Sequence, residues 1–212
     1  MPAELFMTKP LLWAQNASRY KATMLGMIPF AMKHFVDVER KSQGCLDVDL
    51  SGIKGILVGG ELVANSVCND FTQCLSKYGL NNNALMPAYG LAECVTIASL
   101  AEVGDEVKHY RLKYTDIQIG KTPEFCTDAQ EGMDVVAIGK PLNGITINIK
   151  DDNGVLLPEG KIGNVNVQGD IVAAGYYEGR ESDENIFLED GSVETGDIGF
   201  IMNDALVIIG RQ

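Results

Sequence analysis

The sequence predicts an α/β fold: a parallel-sheet α/β subdomain, residues 1–137, followed by an antiparallel β-barrel-like subdomain, residues 138–212. Three observations predict it. In the first part, helix-spaced apolar residues alternate with short β-rich runs, the order that builds a parallel sheet with crossover connections. From Gly139 the texture changes to short alternating runs separated by Gly, Asp, Asn and Pro, as in an antiparallel meander or small barrel. The 212 residues, 46% hydrophobic and 22% charged, have globular composition, and a chain of this length buries roughly 70% of its unfolded surface.

The elements run in this order. Pro10 suits a first helical turn, and Trp13, Ala17 and Tyr20 then recur at i, i+4 and i+7. "ATMLGM" reads as a short buried strand. Pro29 opens a helix with Ala31, Phe35 and Val38 on one face. "IKGILVGG" (53–60) is a β-rich run ending in paired glycines. Val63, Val67, Phe71, Cys74 and Tyr78 then line a helix closed by Gly79. "ALMP" supplies the next strand. Residues 94–138 read as an elaborated connection with one or two short strands. Beyond it, "ITINI", "IGNVNVQG" and "ALVIIGR" are strands, with "DDNG" and "LLPEG" as turns.

Composition excludes several classes. A net charge of −12 argues against a nucleic-acid-wrapping surface, which needs clustered Lys and Arg. A mononucleotide needs only a local site. No apolar run approaches the ~20 residues of a membrane span, and the amino terminus lacks a secretory signal pattern. The five cysteines (Cys45, Cys68, Cys74, Cys94 and Cys126) form no C-x-x-C pair and suggest reduced thiols in a cytoplasmic protein. With only His34 and His109 besides, no zinc site is expected.

Four stretches carry candidate chemistry. "ILVGGE" (56–61) runs from a strand into a Gly-Gly turn, where backbone approaches a flat ring or an anion closely; the same turn also serves plain chain reversal. "MPAYGLAEC" (86–94) sets Tyr89, Gly90 and Glu93 after a strand. Tyr89 suits stacking on a purine and Glu93 suits a magnesium ion, while a core aromatic and a solvated helix-start carboxylate fit the same spacing. "VETGDIGF" (193–200) places Asp197 after a Thr-Gly turn between two strands, suited to ribose hydroxyls or simply to a turn. Arg211 supplies a cation for the same ribose or a phosphate. "IGKTP" (119–123) contains Gly-Lys-Thr, but the earlier glycine of a Walker loop would fall at Thr115.

In order and spacing, "ILVGGE", "PAYGLAE", "IGKPL", "GNVNVQGDIVAAGYY", "ETGDIGF" and "IIGR" resemble the core motifs of the adenylate-forming enzymes. This superfamily comprises acyl- and aryl-CoA synthetases, luciferases and peptide-synthetase adenylation domains. The front end, "PLLWAQNASRYKAT", looks like the fatty acyl-AMP ligases and the acid-loading domains of polyketide and nonribosomal peptide systems. The resemblance implies ATP and Mg2+ as cofactors. It sets Gly59, Gly60 and Glu61 along the adenine and Tyr89 with Gly90 against the nucleotide. Glu93 becomes the catalytic metal-binding residue, Asp197 and Arg211 hold the ribose hydroxyls, and Met24 to Ala31 help form the acyl pocket. It further implies a carboxylic acid substrate activated as acyl-AMP. The acceptor is a carrier protein's phosphopantetheine thiol or, alternatively, CoA. The long connection between Glu93 and Gly139 matches the insertion of the acyl-AMP ligases and favours the carrier. A non-catalytic α/β binding module is the reading from another class. Set against the family, the 212 residues lack a Ser/Thr/Gly-rich phosphate loop, and Arg211-Gln212 stand where the hinge to a small C-terminal domain begins. The resemblance therefore implies a fragment of the large domain with little turnover of its own. Ser192, Cys94 and "IPF" (28–30) depart from the usual residues.

Overall fold

The computed structural model describes residues 1–42, 46–128, 132–179 and 186–212; Cys45 and part of the 94–138 connection lie outside them. By its own contacts the chain divides into two compact units, Met1–Met86 with Glu102–Val107, and Pro87–Ala101 with Lys108–Gln212. The texture change at residue 137 is a different boundary, because most of the connection packs with the later strands. Leu112, Val135 and Ala137 share one buried cluster with Ile162, Phe200, Val207 and Ile209.

In the first unit, α1 (Ala3–Thr8) and α2 (Leu12–Arg19) precede β1 (Met24–Met27), α3 (Pro29–Lys41), β2 (Gly55–Val58) and α4 (Asn65–Ser76). Strands β1 and β2 pair in parallel, Met24 opposite Gly55 through Met27 opposite Val58. The Ile56 N–H then donates to Ala84 O at 2.7 Å, at the entry to β3 (Leu85–Tyr89), which finishes in the second unit. Trp13, Phe35 and Phe71 meet edge to face with centroids 5.8–6.0 Å apart, joining α2, α3 and α4. Each such contact adds about 0.5–1.5 kcal/mol beyond the area it buries.

Three helix faces differ from the expected stripes; that of α4 buries Asn65, Cys68, Phe71, Thr72, Cys74 and Leu75, while Val63 and Tyr78 lie outside the helix. Tyr20 is 70% exposed, just past α2, whose buried residues are Ala14 and Ala17. The buried face of α3 is Met32, Phe35, Val36 and Glu39 rather than Ala31, Phe35 and Val38. The reason is Glu39, whose carboxylate turns inward. It takes the Tyr78 hydroxyl at 2.7 Å, the Cys74 thiol at 3.0 Å and the Lys77 ammonium at 2.7 Å. Burial pushes the Glu39 carboxyl up, but the Lys77, Cys74 and Tyr78 hydrogen bonds together hold it below its ordinary value. The same contact, added to burial, raises the Cys74 thiol to about 12.

In the second unit, β4 (Ser99–Leu100) pairs antiparallel with the end of β3 and with β7 (Lys140–Pro141). The parallel pattern expected throughout the α/β part is thus mixed with antiparallel strands. The connection forms the ribbon β5 (His109–Lys113) and β6 (Gly132–Val136). The remaining strands are β8 (Ile145–Lys150), β9 (Gly163–Gly169), β10 (Ser192–Met202) and β11 (Ala205–Arg211), in sheet order β11-β10-β9-β8. This sheet is antiparallel, as expected, but open: β8 and β11 stand at its two ends instead of pairing into a barrel. "IGKTP" is a turn at Gly120 with no helix after it, so it forms no Walker loop. Among the described residues no helix is long and apolar enough to cross a membrane.

Candidate functional site

Strand β3 ends at Tyr89 and the chain reverses at once. The Ala98 N–H donates to Tyr89 O at 2.8 Å, closing the loop, and Tyr89 then stands opposite Ser99. Gly90 makes this reversal possible. A Cβ there would sit 1.9 Å from Thr96 O, so no larger residue fits without moving backbone. Inside the loop, Ala92–Cys94 form one 3₁₀ turn. Val95 follows at φ 64 and ψ −59, spanned by a Thr96 N–H to Cys94 O hydrogen bond of 2.7 Å. This is a γ-turn of the rare, strained kind, and a β-branched residue is a costly occupant.

Asp197 comes from β10. The sequence suggests a Thr-Gly turn between two strands, whereas the structure has one eleven-residue strand interrupted by a bulge between Glu194 and Ile198. Gly196 takes φ +73 there, a conformation that suits glycine. The Thr195 hydroxyl locks the bulge, donating to Val165 O at 2.8 Å and accepting the Asp197 N–H at 3.0 Å. The bulge aims the Asp197 carboxylate at Tyr89, whose hydroxyl donates to Oδ2 at 2.7 Å. Burial, reinforced by the Asp197 carboxylate, raises the Tyr89 phenol far above its ordinary value, so it stays a neutral donor.

Arg211 stands opposite Asp197 in the β10–β11 register. Its Nη2 donates to Thr195 O at 3.3 Å, and Nε lies 3.9 Å from Asp197 Oδ1. The arginine side chain is 74% exposed and the aspartate 16%, so the ion pair itself contributes little to stability. Chemically the arrangement is more informative. A carboxylate has about four acceptor directions, and Tyr89 occupies one. Asp197 therefore keeps capacity for a pair of vicinal hydroxyls, with a cation beside it.

The structure thus brings Tyr89, Asp197 and Arg211 together. Glu93 has a different partner: its Oε1 accepts a hydrogen bond from the Tyr176 hydroxyl, and its backbone carbonyl accepts the Ala173 N–H at 2.8 Å. Among the described residues no three His, Cys, Asp or Glu side chains form a metal cage. A half-exposed carboxylate held through one oxygen still suits Mg2+, which takes one or two carboxylates and completes its shell with phosphate oxygens and water.

Gly59, Gly60 and Glu61 belong to the first unit. Gly60 turns the chain at φ +82 after β2. Glu61 Oε2 accepts the Phe30 N–H at 3.0 Å, satisfying an orphan donor in the first turn of α3. Nothing local in "GGE" announces that role. In the stretch from Met24 to Ala31, Met24, Ile28 and Phe30 are 45–52% exposed, an apolar surface within that unit. Thr195 and Tyr176 are the residues that sequence reasoning missed. Thr195 lies in the "VETGDIGF" motif, but its use as a bulge lock appears only once the strand is continuous. Ser192 is buried in a polar network with Asn166 and Asp190, and Cys94 is a buried thiol raised by burial and by Glu93 to about 11.

A family model described as "AMP-binding enzyme" matches residues 1–177. The chain is 29% identical to the adenylation domain of a keto acid-selecting NRPS module bound to keto acyl adenylate, with a TM-score of 0.90 over 98% of this chain and 40% of that one. It is 27% identical to the fatty acid AMP ligase from Legionella pneumophila, with a TM-score of 0.90 over 100% of this chain and 37% of that one. Among curated proteins it is 27% identical to the long-chain-fatty-acid–AMP ligase FadD26 of Mycobacterium tuberculosis, covering 97% of this chain and 37% of the relative. The chain therefore spans well under half the length of these relatives.

Proposed function

This chain belongs to the AMP-binding enzyme family, and from that membership we propose that it is part of an acyl-adenylate-forming ligase. The carboxylate of a fatty or other organic acid attacks the α-phosphorus of ATP; the new acyl O–P bond replaces the bond to pyrophosphate, which leaves. The observation that carries this reading is the Tyr89–Asp197 hydrogen bond with Arg211 alongside: an oriented carboxylate and an exposed cation on the β10–β11 pair, met by a neutral phenol from the end of β3. Asp197 and Arg211 take the ribose hydroxyls, and Tyr89 with Gly90 faces the nucleotide. Such a site works by positioning and charge complementarity, with no covalent role for the protein. Glu93 holds Mg2+, which when bound neutralises charge on the transferring phosphate.

Gly59, Gly60 and Glu61 are assigned to the adenine by the resemblance, and the exposed Met24, Ile28 and Phe30 to the acyl group. For the acceptor we favour a carrier-protein phosphopantetheine thiol over CoA, since FadD26 is named an AMP ligase and the NRPS neighbour an adenylation domain. The sulfur attacks the acyl carbon and AMP departs. The cytoplasmic setting rests on the cysteine pattern of the sequence, five residues with no C-x-x-C pair.

Full-length protein is expected to exchange labelled pyrophosphate with ATP when an acid is supplied. Asp197→Ala should lower the exchange and weaken binding of a nonhydrolysable acyl-adenylate analogue by about tenfold or more, the loss of charge-assisted hydrogen bonds. Analogue binding unchanged by Asp197→Ala, with no exchange in the wild type, supports a non-catalytic module instead. Product analysis with CoA against carrier protein separates the two acceptors.

A further inference from the structure

We propose that Tyr176 is the positioning residue for the Glu93 carboxylate, fixing one of its oxygens so that the other is presented to the metal. The inference rests on the reading of Glu93 as the Mg2+ ligand and deepens it.

Glu93 needs an external anchor. It sits in a single 3₁₀ turn, with the nearby Val95 in a strained γ-turn, and so short a turn offers its side chain little local support. The segment 173–176 supplies that anchor twice. The Ala173 N–H holds the Glu93 backbone carbonyl at 2.8 Å, and the Tyr176 hydroxyl donates to Oε1 of the same residue. One contact fixes the main chain and the other the carboxylate. Tyr176 is itself held in place: its ring meets Phe187 edge to face, with centroids 5.1 Å apart and planes at 78°. Phe187 in turn bridges Val193 at the start of β10, the strand that carries Asp197. A relay of contacts thus runs from β10 through Phe187 and Tyr176 to Glu93. The adjacent Tyr177 is 93% exposed and serves as an internal contrast.

Physically, a carboxylate with one oxygen tied to a phenol is held in one orientation, which leaves its other oxygen the freer to bind a cation. Mg2+ retains much of its water and tolerates little geometric error, so a pre-set single-oxygen ligand suits it. Partners that orient a metal ligand are commonly worth about 10- to 100-fold in metal affinity.

The test uses full-length protein and Mn2+ as a spectroscopic stand-in, its binding with ATP followed by electron paramagnetic resonance. Tyr176→Phe keeps the ring on Phe187 and removes only the hydroxyl, so folding is not at risk. The expected result is a loss of Mn2+ affinity of about tenfold. Alongside it, the Mg2+ concentration for half-maximal pyrophosphate exchange should rise, with the rate recovering at saturating Mg2+; a merely structural role would not produce that split. Tyr177→Phe should change neither. If Tyr176→Phe leaves Mn2+ affinity unchanged while Glu93→Gln abolishes it, the positioning role is overturned and the reading of Glu93 stands. If Glu93→Gln also leaves the affinity unchanged, the metal assignment falls and the inference with it.

Discussion

At the residue scale, Tyr89 shows how one buried hydroxyl couples a site to pH. Burial and the Asp197 carboxylate raise its phenol, so the folded protein holds that proton more tightly than the unfolded chain. The contribution is intact below about pH 10, the ordinary tyrosine value, and is lost as pH rises beyond it. Urea denaturation from about pH 9 to 11 should therefore show falling stability, and Tyr89→Phe should flatten the fall. Some decline will persist, since burial also raises Tyr78 and the Cys68, Cys74 and Cys94 thiols. An equally steep fall in the variant would locate the effect elsewhere. The order of the motifs along the chain is enough to name candidate residues, but not their partners. Tyr89 and Asp197 are 108 residues apart, and Glu61 and Phe30 are 31 apart, distances over which no spacing rule operates.

At the element scale, α3 and α4 are joined by a charge that periodicity assigns to the outside. Reading helix faces by apolar residues alone rotates α3 by about one position, because Glu39 counts as polar although it is 1% exposed. Its inward turn depends on donors from α4 and the residues just beyond it. Lys77→Met removes the one cationic donor and leaves a buried carboxylate with neutral partners, whose pKa should then rise. In the wild type the depressed carboxyl contributes stability that is lost as pH falls through its folded value. In the variant the sign reverses, and protonation relieves the strain. The stability gap between the two should thus narrow as pH is lowered from about 7 to about 4 in urea titrations; a constant gap would refute the account. Strand β10 teaches a related lesson. "VETGDIGF" contains the signals of a turn, yet the Thr195 hydroxyl closes a bulge, and the chain continues as one strand. Glycine and aspartate mark both features, and only the neighbouring strand β9 decides between them.

At the scale of the whole molecule, the fold class was legible because it rests on composition texture, which is local. Residues 94–138, by contrast, read as a loose connection, yet Leu112, Val135 and Ala137 within them are buried with Phe200 and Val207. Phe200→Ala should therefore cost about 3–5 kcal/mol and loosen the β5–β6 ribbon together with the open sheet. Hydrogen exchange of the Leu112 and Val135 amides reads that coupling, and continued protection of both in the variant would mean that the ribbon stands by itself. The 108-residue span from Tyr89 to Asp197 has a consequence for biosynthesis. A ribosome adding about 5–20 residues each second exposes Tyr89 roughly 5–20 s before its acceptor exists. Through that interval the phenol and the Gly90 loop must wait, solvated or chaperoned, until the strand that carries Asp197 has been made.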